Sequence, residues 1–208
     1  MCRHGTLRRV NLDEFWLLVG AARADAGGAD DDGGEAVGAA LVDRLAATSP
    51  EAILAFQERF DQVHGALYRW DVWAAAYLIG GGCSDDSFMD FRAGVVALGR
   101  DWYERVLRSP DDLAGHPVVR AAAEEEDDEA VFAEDVNYVA VTAYRRLTGD
   151  DEAFYEAWYA QKPADRGGSD LGSDVGSDMG EDFDFDDEDE MHRRLPRLAE
   201  LFLGPADD

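Results

Sequence analysis

Lysine is almost missing from this chain: of 19 basic residues 18 are arginine and Lys162 is the single lysine, while isoleucine and asparagine occur twice each. That usage follows the codon bias of a GC-rich genome, and an acid-rich, lysine-poor chain also suits a salt-adapted host, so we read it as ancestry rather than function. Cysteine is scarce too. Cys2 and Cys83 lie far apart with no partner spacing, which argues against a disulfide framework or a zinc motif and fits a reducing, cytoplasmic setting. The four histidines, His4, His64, His116 and His192, show no ligand spacing, so neither a metal nor a cofactor is expected. Long apolar runs are lacking as well: the opening "MCRHGTLRRV" does not read as a signal peptide, and Val72 to Cys83 is too short to span a bilayer. With no basic face to neutralise phosphates, direct binding to duplex nucleic acid or an anionic membrane is not expected.

What is present is enough for one globular domain: 208 residues, 46% of them apolar and 11% aromatic. The net charge of -27 is concentrated. Ala164 to Glu190 carries 12 acids against one base, Ala121 to Asp135 carries 8 acids and no base, and the rest is only moderately acidic.

Apolar spacing predicts helices throughout and no alternating strand, hence an all-α, single compact antiparallel helical domain. Asn11 with Glu14 starts a helix whose stripe is Leu12, Phe15, Trp16 and Val19, ending near Gly27-Gly28. Val37, Leu41 and Leu45 mark a second, and Ser49-Pro50-Glu51 caps a third with Ile53, Phe56, Phe60, Val63 and Leu67 on its buried face. The aromatic segment "YRWDVWAAAYLIGGG" follows, then Phe88, Phe91, Val95 and Leu98, then Trp102, Tyr103, Val106 and Leu107 up to Ser109-Pro110. After a breaker at "GHP", one helix is expected from about Ala121 to Gly149, with Phe132, Val136, Val139, Ala143 and Leu147 inward. Phe154, Tyr155, Trp158 and Tyr159 suggest one more. Residues 1–10 then read as a flexible N-terminus, 11–162 as the domain, 163–190 as a disordered acidic Gly/Ser/Asp linker and 191–208 as a short C-terminal helical segment that can dock or bind elsewhere.

The stretch "GGGCSDDSFMDFR" looks like chemistry: glycines, the Cys83 thiol, the Ser84 hydroxyl, Asp85, Asp86 and, two turns on, Arg92. A helix start explains most of it. Ser84 as N-cap satisfies an orphan amide for about 1 kcal/mol, Asp85 and Asp86 suit the positive end of the helix dipole, and Cys83 with Phe88 forms a hydrophobic staple. The functional reading has the helix end lowering the Cys83 pKa, the carboxylates acting as acid and base, and Arg92 receiving an anionic ligand. Trp70, Asp71, Trp73 and Tyr77 make an aromatic group that is either core or a stacking pocket beside this turn, with Asp71 a candidate cap. The run "EDFDFDDEDE" fails as a calcium loop, since Asp187 stands where glycine is needed and Arg193 where a bidentate Glu is needed. It reads as a solvated acidic run, or as bait for a basic protein through Phe183 and Phe185.

The segments "LDEFWLLVGAAR", "SPEAILAFQ", "YRWDVWAAAYLIGGGCSDDSFMDFR", "GRDWYERVLRSPDDLA" and "LPRLAELF" together resemble the bacterial family of domains of unknown function numbered 4240 (DUF4240). The likeness is most specific at Trp70-Asp71, Gly81 through Asp86 and Phe91-Arg92. The chain departs from the pattern at "AGVVALG" after Arg92 and in its expanded acidic linker. What the resemblance implies is a small helical bacterial domain with no activity to assign to any residue. The function expected is a non-catalytic cytoplasmic protein-interaction or regulatory module, with a basic protein among the partners that fit. The alternatives are an enzyme or small-molecule sensor using the Cys83, Asp85, Asp86 and Arg92 corner, and an acidic mimic of nucleic acid.

Overall fold

A computed structural model describes residues 10–27, 34–150, 152–161 and 179–206. Cys2, His4 and the Gly-Ser-Asp repeat lie outside these residues. The described chain is all-α. In order it forms α1 (Leu12–Asp25), α2 (Glu35–Ala46), α3 (Pro50–Gly65), α4 (Trp70–Ile79), α5 (Asp85–Ala97), α6 (Arg100–Arg108), a 3-10 helix (Pro110–Gly115), α7 (Pro117–Glu125), α8 (Glu134–Asn137), α9 (Val139–Thr148), α10 (Glu152–Gln161), α11 (Glu188–Arg194) and α12 (Pro196–Phe202).

Local chemistry starts these helices where the sequence indicated. The Asn11 side chain accepts from the Glu14 amide at 2.8 Å while Glu14 accepts from the Asn11 amide at 3.0 Å, a complete capping box. Ser49 caps α3 through the Ala52 amide, with Pro50 in the first turn. Phe15, Trp16, Val19 and Ala22 face the core from α1, whereas Leu12, expected with them, is exposed. Ile53, Phe56, Phe60 and Val63 do the same from α3, and Leu67 follows in the turn beyond it. α2 packs on α1 and α9, and α3 packs on α9, α5 and α1, so the first three helices and α9 form one side of the core.

α5 closes the middle. Phe88, Phe91, Arg92, Ala93, Gly94, Val95, Val96 and Ala97 are all buried, a helix enclosed nearly all round as α3, α4, α6 and α8 pack against it. The single helix expected over 121–149 does not form, because part of that chain is needed to cover α5. α7 ends at Glu126, in the left-handed conformation at φ 57. Ala130, Val131 and Ala133 are then buried against α5, Phe132 packs 5.4 Å from Phe91, and helix resumes only at α8 and α9. Val131 itself sits at φ 70, a strained conformation for a β-branched residue that costs about 1–2 kcal/mol. The stripe predicted for one long helix also fails at Leu147, which is exposed.

The "GHP" breaker is a helix start. The His116 ring accepts from the Val118 amide through Nδ1 at 3.2 Å and Pro117 takes the first turn of α7. The C-terminal segment docks: Met191, Leu195, Leu198 and Ala199 are buried, with α12 against the 3-10 helix, α4 and α7. Buried Asp111 holds it, its carboxylate accepting from the Arg197 amide at 3.0 Å and the Leu198 amide at 2.9 Å.

The approach to α5 makes a paired test. A Cβ on Gly94 would lie 1.6 Å from the Val131 carbonyl oxygen, whereas one on Gly20 would meet nothing within 4 Å. In urea unfolding, Gly94→Ala is expected to cost about 3 kcal/mol or more, and Gly20→Ala to gain about 0.5–1 kcal/mol through helix propensity. Equal effects of the two changes would contradict the packing described.

Candidate functional site

The glycine turn exists because α4 must stop and reverse into α5. Gly81 and Gly82 take φ 58 and 133, conformations that L side chains rarely adopt. Ser84 then caps α5, its Oγ accepting from the Ser87 amide at 3.2 Å and exchanging a hydrogen bond with the Ser87 hydroxyl at 3.0 Å. Asp85 and Asp86 occupy the exposed first turn, where the helix dipole favours them. Cys83 is half-buried against the core, its thiol hydrogen-bonding to the Ser84 carbonyl at 3.5 Å. Burial pushes its pKa up to about 12, and the charge of Asp90 acts in the same direction. That shift is opposite in direction to the lowered thiol pKa considered from sequence, because burial disfavours the thiolate.

Behind the turn stands a column of flat groups. Trp70 stacks on Trp73 at 5.5 Å, and Trp73 on Phe88 at 4.6 Å, both nearly parallel. The Arg92 guanidinium lies 4.9 Å from the Phe88 ring centre and 4.8 Å from that of Tyr68. The Trp73 indole also donates to the Cys83 carbonyl at 3.0 Å, tying the column to the turn. Arg92 is 3% exposed and donates to the carbonyls of Phe88 and His64 at 3.4 Å each. The sequence reading of Arg92 as a receptor for an anionic ligand is therefore corrected, because its planar cation is packed inside the column. Asp71 is not the cap of α4, which begins after Arg69 with no side-chain cap. Its carboxylate pairs with Arg69 and accepts from the Val72 amide at 2.9 Å, while Arg69 also reaches the Leu107 carbonyl at 2.7 Å.

The two described histidines inside the fold are neutral. Burial, then the nearby Arg92, holds His64 down to about 3, and burial, then Arg23, holds His116 down to about 4. His64 stacks on Phe60 with its Nε2 3.0 Å from the Met89 carbonyl oxygen, and His116 caps α7. Neither is placed by these contacts as a base for Cys83. Both favour the folded state when neutral, so the stability they confer is complete above 6.5 and is lost as pH falls through about 4 and about 3.

Sequence reasoning missed the acid cluster beside α8. Asp90 accepts from the Asn137 amide group at 2.8 Å, and its own carbonyl accepts from the Ala133 amide at 3.1 Å. Burial, then Glu134 and Asp86, raises Asp90 to about 6 despite Asn137. Nothing in the spacing of Asp90 and Glu134 signalled this, since α8 exists only because the long helix breaks. Among the described residues no group of three or more His, Cys, Asp or Glu is arranged to hold a metal.

Reasoning from sequence also misassigned the acidic run. The expected linker is described from residue 179, and there it lies on α4. The Trp70 amide donates to the Met179 carbonyl at 3.0 Å, and Phe185 meets Trp70 at 6.0 Å, Tyr77 at 5.4 Å and Trp73 at 6.5 Å. The Tyr77 hydroxyl donates to Asp186 at 2.5 Å, which raises the Tyr77 pKa. Phe183 packs on Phe185 at 5.1 Å and under Arg194, whose guanidinium also pairs with Glu181 at 3.0 Å and Glu190 at 2.5 Å. Of the nine candidate residues, Trp70, Trp73 and Tyr77 thus share one surface, Cys83 and Ser84 shape the turn beside it, Asp85 and Asp86 face water, Asp71 pairs with Arg69, and Arg92 is interior.

The model of the family described as "Protein of unknown function (DUF4240)" matches residues 11–146. The chain belongs to the DUF4240 family. The match takes in the turn, α4, α5 and α8 and stops before α10, so "LPRLAELF", part of the resemblance read from sequence, lies outside it. No curated protein and no solved structure matches the chain. Among the described residues of this DUF4240 protein, no helix is long and apolar enough to cross a membrane.

The raised pKa of Asp90 has a sign that can be tested. The folded chain binds this proton more tightly than the unfolded one, so the contribution to stability is full below 3.8 and is lost as pH rises through about 6. Asp90→Asn keeps an acceptor for Asn137 and removes the charge. It is expected to stabilise the protein by about 1 kcal/mol at pH 8, after allowance for solvent screening, with the gain vanishing near pH 4. Thermal melts of both chains across that range check it, and a gain independent of pH would contradict it.

Proposed function

We propose that this chain is a non-catalytic, cytoplasmic helical module that binds another protein through the aromatic surface of α4. The observation that carries the reading is the seating of a non-helical segment, Met179 to Asp186, on that surface by rings and by a hydrogen bond at each end. The chemistry-bearing groups of the neighbouring turn have structural employment. The Cys83 thiol is held protonated, the Ser84 hydroxyl caps α5, and Arg92 fills the column. A helical surface that already accommodates a peptide needs no chemistry from these groups to act as an interaction module.

The acidity of the chain bears on the partner. With a net charge of -27, association is fastest and least opposed for a protein carrying basic residues around its contact, and it weakens with added salt. That favours the basic partner over a second acidic chain.

Thiol chemistry separates this reading from the enzyme or sensor alternative. In a Cys2→Ser chain at pH 8, Cys83 is expected to react with iodoacetamide at least about tenfold more slowly than the same chain unfolded in urea. Alkylation faster than in the unfolded chain would overturn the reading and return Cys83 to the role of nucleophile.

A further inference from the structure

The C-terminal segment has two parts with different holds on the domain. Residues 188–206 are an anchor: Met191, Leu195 and Leu198 are at most 2% exposed, and Asp111 caps α12. Residues 179–187 are a strap. Phe183 and Phe185 are only partly buried, Asp182, Asp184 and Asp186 are exposed, and the strap lies across Trp70, Trp73 and Tyr77 rather than within the core. The family match covers α4 and ends before the strap, so receptor and strap are separate parts of the chain.

We propose that the Trp70, Trp73 and Tyr77 surface is a peptide-binding groove closed in cis by residues 179–187, and that its partner is a non-helical segment with two aromatic residues two positions apart, a hydrogen-bond acceptor next to the second, and basic flanks. Each element of that description has its counterpart here. Phe183 and Phe185 stand two apart with their rings edge to face at 5.1 Å, and Phe185 sits in a turn that the Asp186 amide closes on the Asp184 carboxylate at 3.0 Å. Asp186 supplies the acceptor for the Tyr77 hydroxyl, and the Met179 carbonyl fixes the other end on the Trp70 amide. The basic flanks follow from charge. Arg194 answers Glu181, but Asp182, Asp184 and Asp187 are exposed on a chain of net charge -27, and their repulsion weakens the hold that the rings and that ion pair supply. Proximity offsets that weakness, since a tethered strap acts at a high effective concentration. A competitor with the same ring spacing and opposite flanking charge therefore displaces the strap without displacing the anchor. This inference rests on the interaction reading above.

The test uses the full chain and two fluorescent peptides. One copies residues 179–190; the other keeps the two phenylalanines and the acceptor and replaces the remaining acids with arginine. Anisotropy at low salt is expected to show the arginine peptide binding at least about tenfold tighter than the acidic one, with affinity falling as salt is added. Phe183→Ser with Phe185→Ser, which frees the groove, is expected to tighten both peptides, and Trp70→Ser in that background to abolish binding while the thermal melt stays cooperative. Equal affinity for the wild-type and strap-released chains, or binding indifferent to Trp70→Ser, would overturn the groove. A dimer of the wild-type chain that dissociates in the strap variant would overturn it in another way, by assigning the surface to the strap of a second copy. Failure of these peptides leaves the slow alkylation of Cys83 intact, so the groove fails separately from the non-catalytic reading of the turn.

Discussion

The Val131 carbonyl oxygen occupies the place where a side chain at position 94 would begin, and the fold is arranged around that contact. α5 is enclosed by α3, α4, α6 and α8 and by the loop that carries Val131. A helix buried nearly all round needs small residues where backbones approach, and Ala93, Gly94 and Ala97 supply them. The cost is visible on the other partner: Val131 is held at a positive φ, and a stretch of chain with helical spacing is kept out of helix so that Ala130 to Ala133 can cover α5. Arg92 meets the same enclosure with a charge. Its guanidinium is accommodated by two rings and two carbonyls, and its charge adds to the burial that keeps the neighbouring His64 neutral.

That enclosure accounts for why the turn before α5 resembles an active site. The start of a buried helix needs its orphan amides capped, its dipole matched and its chain reversed tightly, and Ser84, Asp85, Asp86 and the glycines do these things. The thiol completes the resemblance but sits where burial suppresses ionisation. Residue types alone cannot separate the two cases; the upward shift of Cys83 favours the cap.

The legible parts of the sequence were those fixed by neighbours within four residues. Asn11 with Glu14, Ser49 with Pro50, and Ser84 were readable as caps, and the stripe of α3 named most of its buried residues, whereas that of α5 named Phe88, Phe91 and Val95 but not the burial of Arg92, Ala93, Gly94, Val96 and Ala97. What was not legible depends on contacts far along the chain. The break at Glu126 answers to Gly94 on another helix, and Asp111 reveals its role only when α12 arrives 86 residues later to be capped. Arg92 read as a receptor for an anionic ligand because, although Phe88 is one helical turn away, nothing local says that Tyr68 and the His64 carbonyl close over it from another part of the chain. Phe183 and Phe185 were legible as anchors, but their seat was not, since an acidic, glycine-rich context argues for solvent unless an aromatic surface such as α4 lies within reach.

A single architecture thus holds two kinds of order: a core that turns on α5, and a strap that lies on its surface. Amide hydrogen exchange of the full chain measures both at once. The account predicts that the amides of α5 exchange only with global unfolding, that α11 and α12 stay protected with the core, and that residues 179–187 exchange by a local opening of far smaller free energy. Residues 179–187 protected to the level of α5, or α5 opening while the rest of the core stays closed, would contradict it.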